Sequence, residues 1–271
     1  MKTQQAVLEL IREKQLILTV TAGRTGTMFV HNLFKLFPNV DSFHEVEPNY
    51  LHVLRRIQTQ PTAATNFLIH YKLPAIAECK SKTYVELSHL FCKGFLEALV
   101  NLGVYPDLIL LRRNPRKIAW SLLERQTVPG RTSLGTAYLL CPSDPNTLPL
   151  LAWEGLTDYQ LCFWYALEIE RRQNRYRDYM IRLGKNVYDI TANELHNPEK
   201  FLDMAKIFSL DIHDRDALLN QHQQVSSITY NKNRMSMKPD FDLDEAEEAV
   251  WEGISYYEPF LRQQVAVRYK D

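Results

Sequence analysis

Short apolar runs alternate with longer amphipathic stretches along most of this chain. The apolar runs predict strands over residues 16–21, 40–43, 83–86, 106–113 and 186–191. Helical spacing of apolar positions predicts helices over residues 2–14, 29–36, 49–60, 62–70, 90–102, 116–125, 153–182, 201–208 and 243–262. Regular alternation of strand and helix is typical of a parallel sheet covered on both faces. We therefore predict an α/β fold with three layers, α/β/α, around a central parallel sheet.

No internal repeat, low-complexity segment or linker divides the sequence, so we expect one domain over residues 1–271. The alternation of strands and helices is interrupted at residues 127–152, where prolines cluster. We expect an irregular insertion there that forms a lid or a substrate-binding loop. Four arginines of the predicted helix 153–182 are expected to form its solvated face: Arg171, Arg172, Arg175 and Arg177.

Residues 21–28, with the sequence TAGRTGTM, join the first predicted strand to the first helix of the sheet. Backbone N–H groups at a helix N-terminus, together with the helix dipole, favour a bound anion. Gly23 and Gly26 allow close approach, and Arg24 adds a cation. The segment lacks the Gly-Lys-Ser/Thr ending of a nucleoside triphosphate P-loop. The alternative interpretation is an ordinary strand-to-helix turn with a solvated arginine.

A second segment of the same design lies at residues 106–125. An apolar strand ends in Arg112 and Arg113, and a turn then leads into a helix. Asn114 suits the N-cap of that helix and Pro115 its first turn. Ser121 lies about two helical turns after Arg113.

Together the two segments resemble the phosphate-binding signatures of sulfotransferases that use 3′-phosphoadenosine 5′-phosphosulfate (PAPS), and the chain is most similar to the soluble, bacterial or cytosolic-type members. Residues 186–191 and the helix after them are similar to a late strand and helix of that family, so the resemblance spans roughly residues 16–210. It implies a P-loop NTPase-like sulfotransferase fold. It also implies transfer of a sulfuryl group from PAPS to a hydroxyl or amine acceptor, with adenosine 3′,5′-bisphosphate (PAP) as product and no metal.

The resemblance assigns roles to individual positions. Arg24 would stabilise the leaving phosphate, and Arg113 and Ser121 would hold the 3′-phosphate. Arg112 either helps in this, or one of the two arginines, Arg112 and Arg113, is a surface charge. Lys232 and Arg234 are weak candidates for a late basic loop. The full set of expected cofactor-binding residues is Gly23, Arg24, Thr25, Gly26, Thr27, Met28, Arg113 and Ser121.

The catalytic base is left open between three residues. Some family members use a histidine before the 3′-phosphate motif, where this chain has His89, and others a glutamate after the second strand, where it has Glu45 and Glu47. We favour Glu45, although a glutamate needs burial to raise its pKa before it is a strong base. A histidine is suited to this role near neutral pH. The catalytic candidates are thus Arg24, Glu45, Glu47 and His89.

The composition of the chain limits the kinds of molecule that it is expected to bind. The 32 basic and 32 acidic residues balance, so no overall basic field favours nucleic acid. No apolar run approaches the length that spans a bilayer, and no signal peptide is visible, which favours the cytoplasm. Four scattered cysteines form no zinc pattern. The acceptor is not identified, and carbohydrate, lipid, peptide, phenol and small-alcohol acceptors all stay open.

Two other classes of function remain. A P-loop kinase or nucleotidase would bind phosphates at the same turn but would need magnesium and a Walker-B acid. A nucleotide-binding protein without sulfuryl transfer would keep the fold and lack a base. The acids at positions 45 and 47 and His89 argue against the second class.

Overall fold

The computed structural model describes residues 3–228, 230 and 240–269. The strands in this part of the chain are β1 (Gln15–Val20), β2 (Val40–His44), β3 (Thr83–Leu87), β4 (Asp107–Arg112) and β5 (Val187–Thr191). All neighbours pair in parallel, in the order β2-β3-β1-β4-β5. The predicted parallel sheet is confirmed, and each predicted strand lies within one residue of its place at either end.

The helices of the described residues cover most of the remaining chain. They are α1 (Gln4–Arg12), α2 (Thr27–Phe34), α3 (Leu51–Thr59), α4 (Thr62–Phe67), α5 (Leu73–Ala77), α6 (Phe95–Asn101), α7 (Pro115–Leu123), α8 (Ser133–Tyr138), α9 (Asp158–Arg182), α10 (Pro198–Ile207), α11 (Arg215–Ser226), α12 (Leu243–Ser255) and α13 (Leu261–Arg268). A π-helical stretch, Leu68–Lys72, links α4 to α5.

The sheet separates two apolar cores, because successive side chains of a strand point to opposite faces. Leu108 and Leu110 of β4 belong to the core under α7 and α9, whereas Ile109 and Leu111 belong to the core under α2 and α10. Both faces of the sheet are therefore covered by helices, as the three-layer prediction requires.

The parallel pairing brings the candidate site residues to one edge of the sheet. β1 and β4 are neighbours, so the turns that follow them, before α2 and α7, lie side by side. Glu45 follows β2 directly, and His89 follows β3, its neighbour in the sheet. Ligands of open parallel sheets bind at this carboxyl edge.

Several predicted helices differ in extent from the observed ones. The helix predicted from residue 90 begins only at Phe95, because the preceding turn buries Cys92 and Lys93 completely and Gly94 adopts a left-handed conformation with φ +115°. The helix predicted over residues 243–262 is divided into α12 and α13, and Pro259 lies in the break.

The predicted irregular insertion, residues 127–152, contains one short helix. Thr132 caps α8 by accepting a hydrogen bond from the N–H of Gly135. Gly135 is required there, because a Cβ would lie 1.8 Å from the carbonyl oxygen of Val128.

The prediction of a solvated arginine face on α9 is wrong for two of its four residues. Arg171 and Arg172 are buried and both bind the carboxylate of Glu168, which is itself fully buried. The insertion covers this face, and the carbonyl of Asn146 accepts a hydrogen bond from Arg171. Among the described residues, no helix has both the length and the apolar character that crossing a bilayer requires.

Candidate functional site

The turn between β1 and α2 is a tight, left-handed piece of backbone. Gly23, Arg24 and Gly26 have φ values of +81°, +59° and +95°. A Cβ on Gly26 would lie 2.7 Å from the Cβ of Ala192, and one on Gly23 would lie 3.3 Å from the ring of His89. Left-handed conformations outside glycine store strain and are typical of functional sites. Arg24 is such a residue.

The N-terminus of α2 is left without a side-chain cap, and Gly26 occupies the N-cap position. The first N–H groups of a helix have no intrahelical acceptor, so those of Thr27 and Met28 are available to an anion. The Thr27 hydroxyl is hydrogen-bonded to Nε2 of His44 at 2.9 Å. Thr25 is buried, with its hydroxyl 2.6 Å from that of Thr21.

The structure brings the two predicted phosphate motifs together. Nε of Arg24 donates to the Ser121 hydroxyl at 3.2 Å. Arg113 donates from Nη1 to the carbonyl oxygen of Arg24. Two segments far apart in sequence thus meet at Arg24.

Arg112, which the sequence left open between a helper and a surface charge, is neither. It is 1% exposed, and its five N–H groups all have acceptors. The acceptors are the side chains of Asp189, Glu170, Gln173 and Asn174. No donor of Arg112 is left for a ligand.

A cavity of about 730 Å³ opens beside this turn. Its polar and cationic walls include Arg24, Arg113, Asn114 and Lys117, and we call it the nucleotide cavity, after the ligand that the sequence resemblance implies. The residues that complete its lining are Thr25, Gly26, Phe29, Arg112, Thr191, Ala192, Asn193, His196, Ile228, Tyr230, Arg268 and Tyr269. This is the chemistry that holds phosphate groups.

Sequence reasoning missed two features of the nucleotide cavity. The first is Lys117, although Arg113, Lys117 and Ser121 follow one another at four-residue spacing. Lys117 and Ser121 belong to α7, where this spacing places them on one face of the helix. The ring of Phe29 stacks on that of His196, with centroids 4.3 Å apart. No motif in the sequence indicated His196, which lines the cavity through this stack.

A second cavity, of about 420 Å³, adjoins the other side of the turn, and we call it the acceptor cavity, because it contains candidates for the catalytic base that the sequence resemblance implies. It shares Arg24, Gly26, Phe29 and Tyr230 with the nucleotide cavity. Its other lining residues are Ala22, Gly23, Thr27, Met28, His44, Glu45, His89, Leu122, Arg125, Thr127, Leu134, Tyr138 and Leu139. Four of these come from the 127–152 insertion, which therefore forms part of the wall.

Glu45 and His89 form a hydrogen-bonded pair in this cavity, between a carboxylate oxygen and Nδ1 of the ring. Their side chains are 27% and 16% exposed. Glu45 has a left-handed φ of +48°, and its carbonyl accepts a hydrogen bond of 2.8 Å from Nδ2 of Asn49. The strained backbone and its support fix the carboxylate against the ring.

The two members of this pair have different protonation chemistry. Burial raises the pKa of Glu45, but the hydrogen bond and the charge of His89 outweigh it and lower that pKa to about 2. Burial, followed by the charge of Lys93, lowers the pKa of His89, and the Glu45 carboxylate opposes both. At neutral pH Glu45 is an anion and His89 is neutral.

Glu47 is not brought into the site. Its side chain is 70% exposed and pairs with Nε2 of His52 at 2.9 Å, and it also accepts the N–H of Asn49. It lines neither cavity. Lys232 and Arg234 lie outside the described residues.

The chain has the sulfotransferase fold. Its structure is similar to that of the mouse sulfotransferase SULT7A1 complexed with PAP, with a TM-score of 0.50 and 13% sequence identity over 97% of this chain and 93% of that chain. At this identity the likeness concerns the fold, and it confirms the fold that the sequence resemblance implied. No protein-family model and no curated protein sequence matches the chain. Within residues 3–228, 230 and 240–269, no group of three or more His, Cys, Asp or Glu side chains could hold a metal ion.

Proposed function

We propose that the protein is a sulfotransferase that moves a sulfuryl group from PAPS to a hydroxyl or amine acceptor by in-line displacement. The observation that carries this proposal is the position of Arg24. Its turn forms part of the wall of both cavities, one lined by further cations and the other containing the Glu45–His89 pair. In-line transfer between two bound molecules needs a cation and a base on opposite sides of the transferred group.

The residues of the nucleotide cavity fit the phosphates of PAPS. The uncapped N-terminus of α2 offers backbone N–H groups to the 5′-phosphosulfate. Arg113 and Lys117 line this cavity and supply donors for the 3′-phosphate, and Ser121, which lines neither cavity but contacts Arg24, supplies a hydroxyl. The stacked rings of Phe29 and His196 supply a surface for the adenine.

On the acceptor side, we assign His89 as the general base and Glu45 as its positioning partner. A carboxylate whose pKa is about 2 is too weak a base to take a proton from a hydroxyl efficiently. A neutral imidazole held at Nδ1 by Glu45 presents Nε2 to the acceptor. The protonated ring that results is stabilised by the adjacent carboxylate.

Arg24 is suited to the charge that develops on the leaving phosphate oxygen. Burial, and then the positive charges of Arg125 and Arg113, lower the pKa of Arg24. The positive charge of Arg24 is therefore favoured further when a bound anion lies beside it. Negative charge that appears beside it in the transition state lowers the barrier, because the guanidinium is already in place.

Calorimetric titration with PAP and with ADP, each in the presence of EDTA, tests this proposal. We expect PAP to bind clearly more tightly, because only PAP carries the 3′-phosphate that Arg113, Ser121 and Lys117 would hold. Equal binding of the two nucleotides, or binding that needs magnesium, would refute the PAPS site and favour a P-loop kinase or nucleotidase. Tight PAP binding without transfer to any acceptor would instead indicate a nucleotide-binding protein.

A further inference from the structure

Arg125 is a cation of the acceptor cavity that neither phosphate motif includes. It lies just beyond α7 (Pro115–Leu123), four residues after Ser121. Ser121 reaches Arg24, whereas Arg125 lines the acceptor cavity and not the nucleotide cavity. The same segment therefore places one residue against Arg24 and another in the wall of the acceptor cavity.

Arg125 has no carboxylate partner among the residues that the structure describes. Neither a hydrogen bond nor an ion pair joins its exposed side chain to any of them, although Glu124 is its neighbour in sequence. Its positive charge acts against that of Arg24 and lowers the pKa of Arg24, whereas the charge of Glu124 raises it. Two cations in one cavity wall favour a bound anion beside them, and the Glu45 carboxylate that lines the same cavity is paired with His89.

The rest of the acceptor cavity is mostly apolar. Leu122, Leu134 and Leu139 line it together with Met28, which is 42% exposed and faces the cavity. The ring of Tyr138 stacks against that of His89, with centroids 6.1 Å apart. A cavity with such walls and a few polar groups binds a compact apolar body in a fixed orientation.

We propose that the acceptor is an amphiphile whose apolar body carries both the reacting hydroxyl and a carboxylate, and that Arg125 binds this carboxylate. The hydroxyl lies at the Glu45–His89 pair, the body lies against the leucine side chains, and the anion lies at Arg125. This inference rests on the proposed function, since it names the substrate class of the same site. A guanidinium suits the role because it binds both oxygens of a carboxylate at once.

Matched pairs of acceptors test this assignment. With PAPS as donor, transfer is measured to para-hydroxyphenylacetate and to its amide, and to aliphatic hydroxy acids and their amides. Binding of the same compounds to the PAP-saturated protein is measured by calorimetry. The proteins compared are wild type, Arg125→Gln, Arg125→Lys and the control Arg182→Gln, which removes another exposed arginine at the end of α9 (Asp158–Arg182).

We expect wild type to prefer the carboxylate member of a pair by about tenfold or more in kcat/KM, which is the size of one charge-assisted hydrogen bond. Arg125→Gln removes the preference through KM, Arg125→Lys retains part of it, and Arg182→Gln leaves it intact. An equal loss for both members of each pair would overturn the proposal, since Arg125 would then act on the sulfuryl group. A preference for the amides would also overturn the proposal. The same holds if none of the carboxylates binds or reacts although PAP still binds. If the wild-type protein did not bind PAP, the proposed function would be refuted rather than the assignment of Arg125.

Discussion

The carboxylate of Glu45 holds Nδ1 of His89 at the carboxyl ends of two neighbouring strands, β2 and β3. The contact fixes the orientation of the imidazole and assigns the two residues different tasks. Glu45 has its pKa lowered to about 2 and stays ionised, whereas the pKa of His89 is lowered by burial and the ring stays neutral near pH 7. We therefore expect the neutral imidazole of His89 to be a more effective base than the Glu45 carboxylate.

Substitution of His89 by asparagine should remove the base while keeping an amide donor for Glu45. We expect kcat to fall by about 100- to 10,000-fold, the usual contribution of general base catalysis. PAP affinity should stay within about twofold of wild type, because His89 does not line the nucleotide cavity. Transfer assays under saturating PAPS and calorimetry with PAP measure the two effects separately. A normal kcat in His89→Asn would assign the base elsewhere.

Glu45→Gln tests the pair through its pH dependence. The Glu45 carboxylate stabilises the protonated form of His89 and so raises the pKa of the ring. Without this carboxylate the pKa of His89 falls further, and the neutral, active form persists to lower pH. We expect the acid limb of the kcat/KM profile to move to lower pH while the maximum rate decreases. A shift of this limb to higher pH, or no shift, would contradict the pairing.

The adjacent arginines Arg113 and Arg112 should give opposite results. Arg113→Gln is expected to weaken PAP binding by about 10- to 100-fold and to affect ADP little, because a charge-assisted bond to the 3′-phosphate is lost. Arg112→Gln should leave the preference for PAP over ADP unchanged. It should instead lower the free energy of unfolding by about 3–5 kcal/mol, since it leaves Glu170 and Asp189 without their buried partner.

Calorimetry and chemical denaturation of both variants check this contrast. If Arg113→Gln reduced the affinity for both nucleotides equally, the 3′-phosphate would have to be bound elsewhere. If Arg112→Gln selectively impaired PAP binding, its buried ion pairs would not be its main role.

Gly26 and Gly184 form a matched pair of left-handed glycines, with φ values of +95° and +71°. Alanine at either position costs about 1–2 kcal/mol of backbone strain. At Gly26 the added Cβ would also lie 2.7 Å from that of Ala192, whereas nothing lies within 4 Å at Gly184. We expect Gly26→Ala to lose about tenfold or more in PAP affinity, and Gly184→Ala to lose stability alone. Equal PAP affinity in the two variants would mean that the turn does not cradle the nucleotide.

The sequence was most informative where one segment determines its own structure. The apolar runs located every described strand, and residues 21–28 and 106–121 indicated two turns at the carboxyl edge of a parallel sheet. Arg24 contacts Ser121 and Arg113 because β1 and β4 are neighbouring parallel strands, so the turns that follow them lie side by side. Long-range partners of this kind are predictable only when each comes with its own local motif.

Other features depend on packing that no local pattern encodes. Arg112 and Arg113 look alike in the sequence, and only the carboxylates of α9 and β5 decide that Arg112 is buried. Arg171 and Arg172 are likewise buried because the insertion and Glu168 enclose them. Glu45 and Glu47 are equivalent candidates by position, but only Glu45 faces His89, because the left-handed backbone at residue 45 directs it there.

Arg24→Ala provides the most direct test of the central claim, that this turn acts on the charge that develops on the leaving phosphate during sulfuryl transfer. The measurement is PAP release from PAPS in the presence of an acceptor, set beside the calorimetric affinity for PAP. We expect turnover to fall by about 100- to 1,000-fold while PAP affinity falls far less, because Arg24 stabilises charge that develops only in the transition state. A loss of affinity as large as the loss of turnover, or an unchanged rate, would contradict the account.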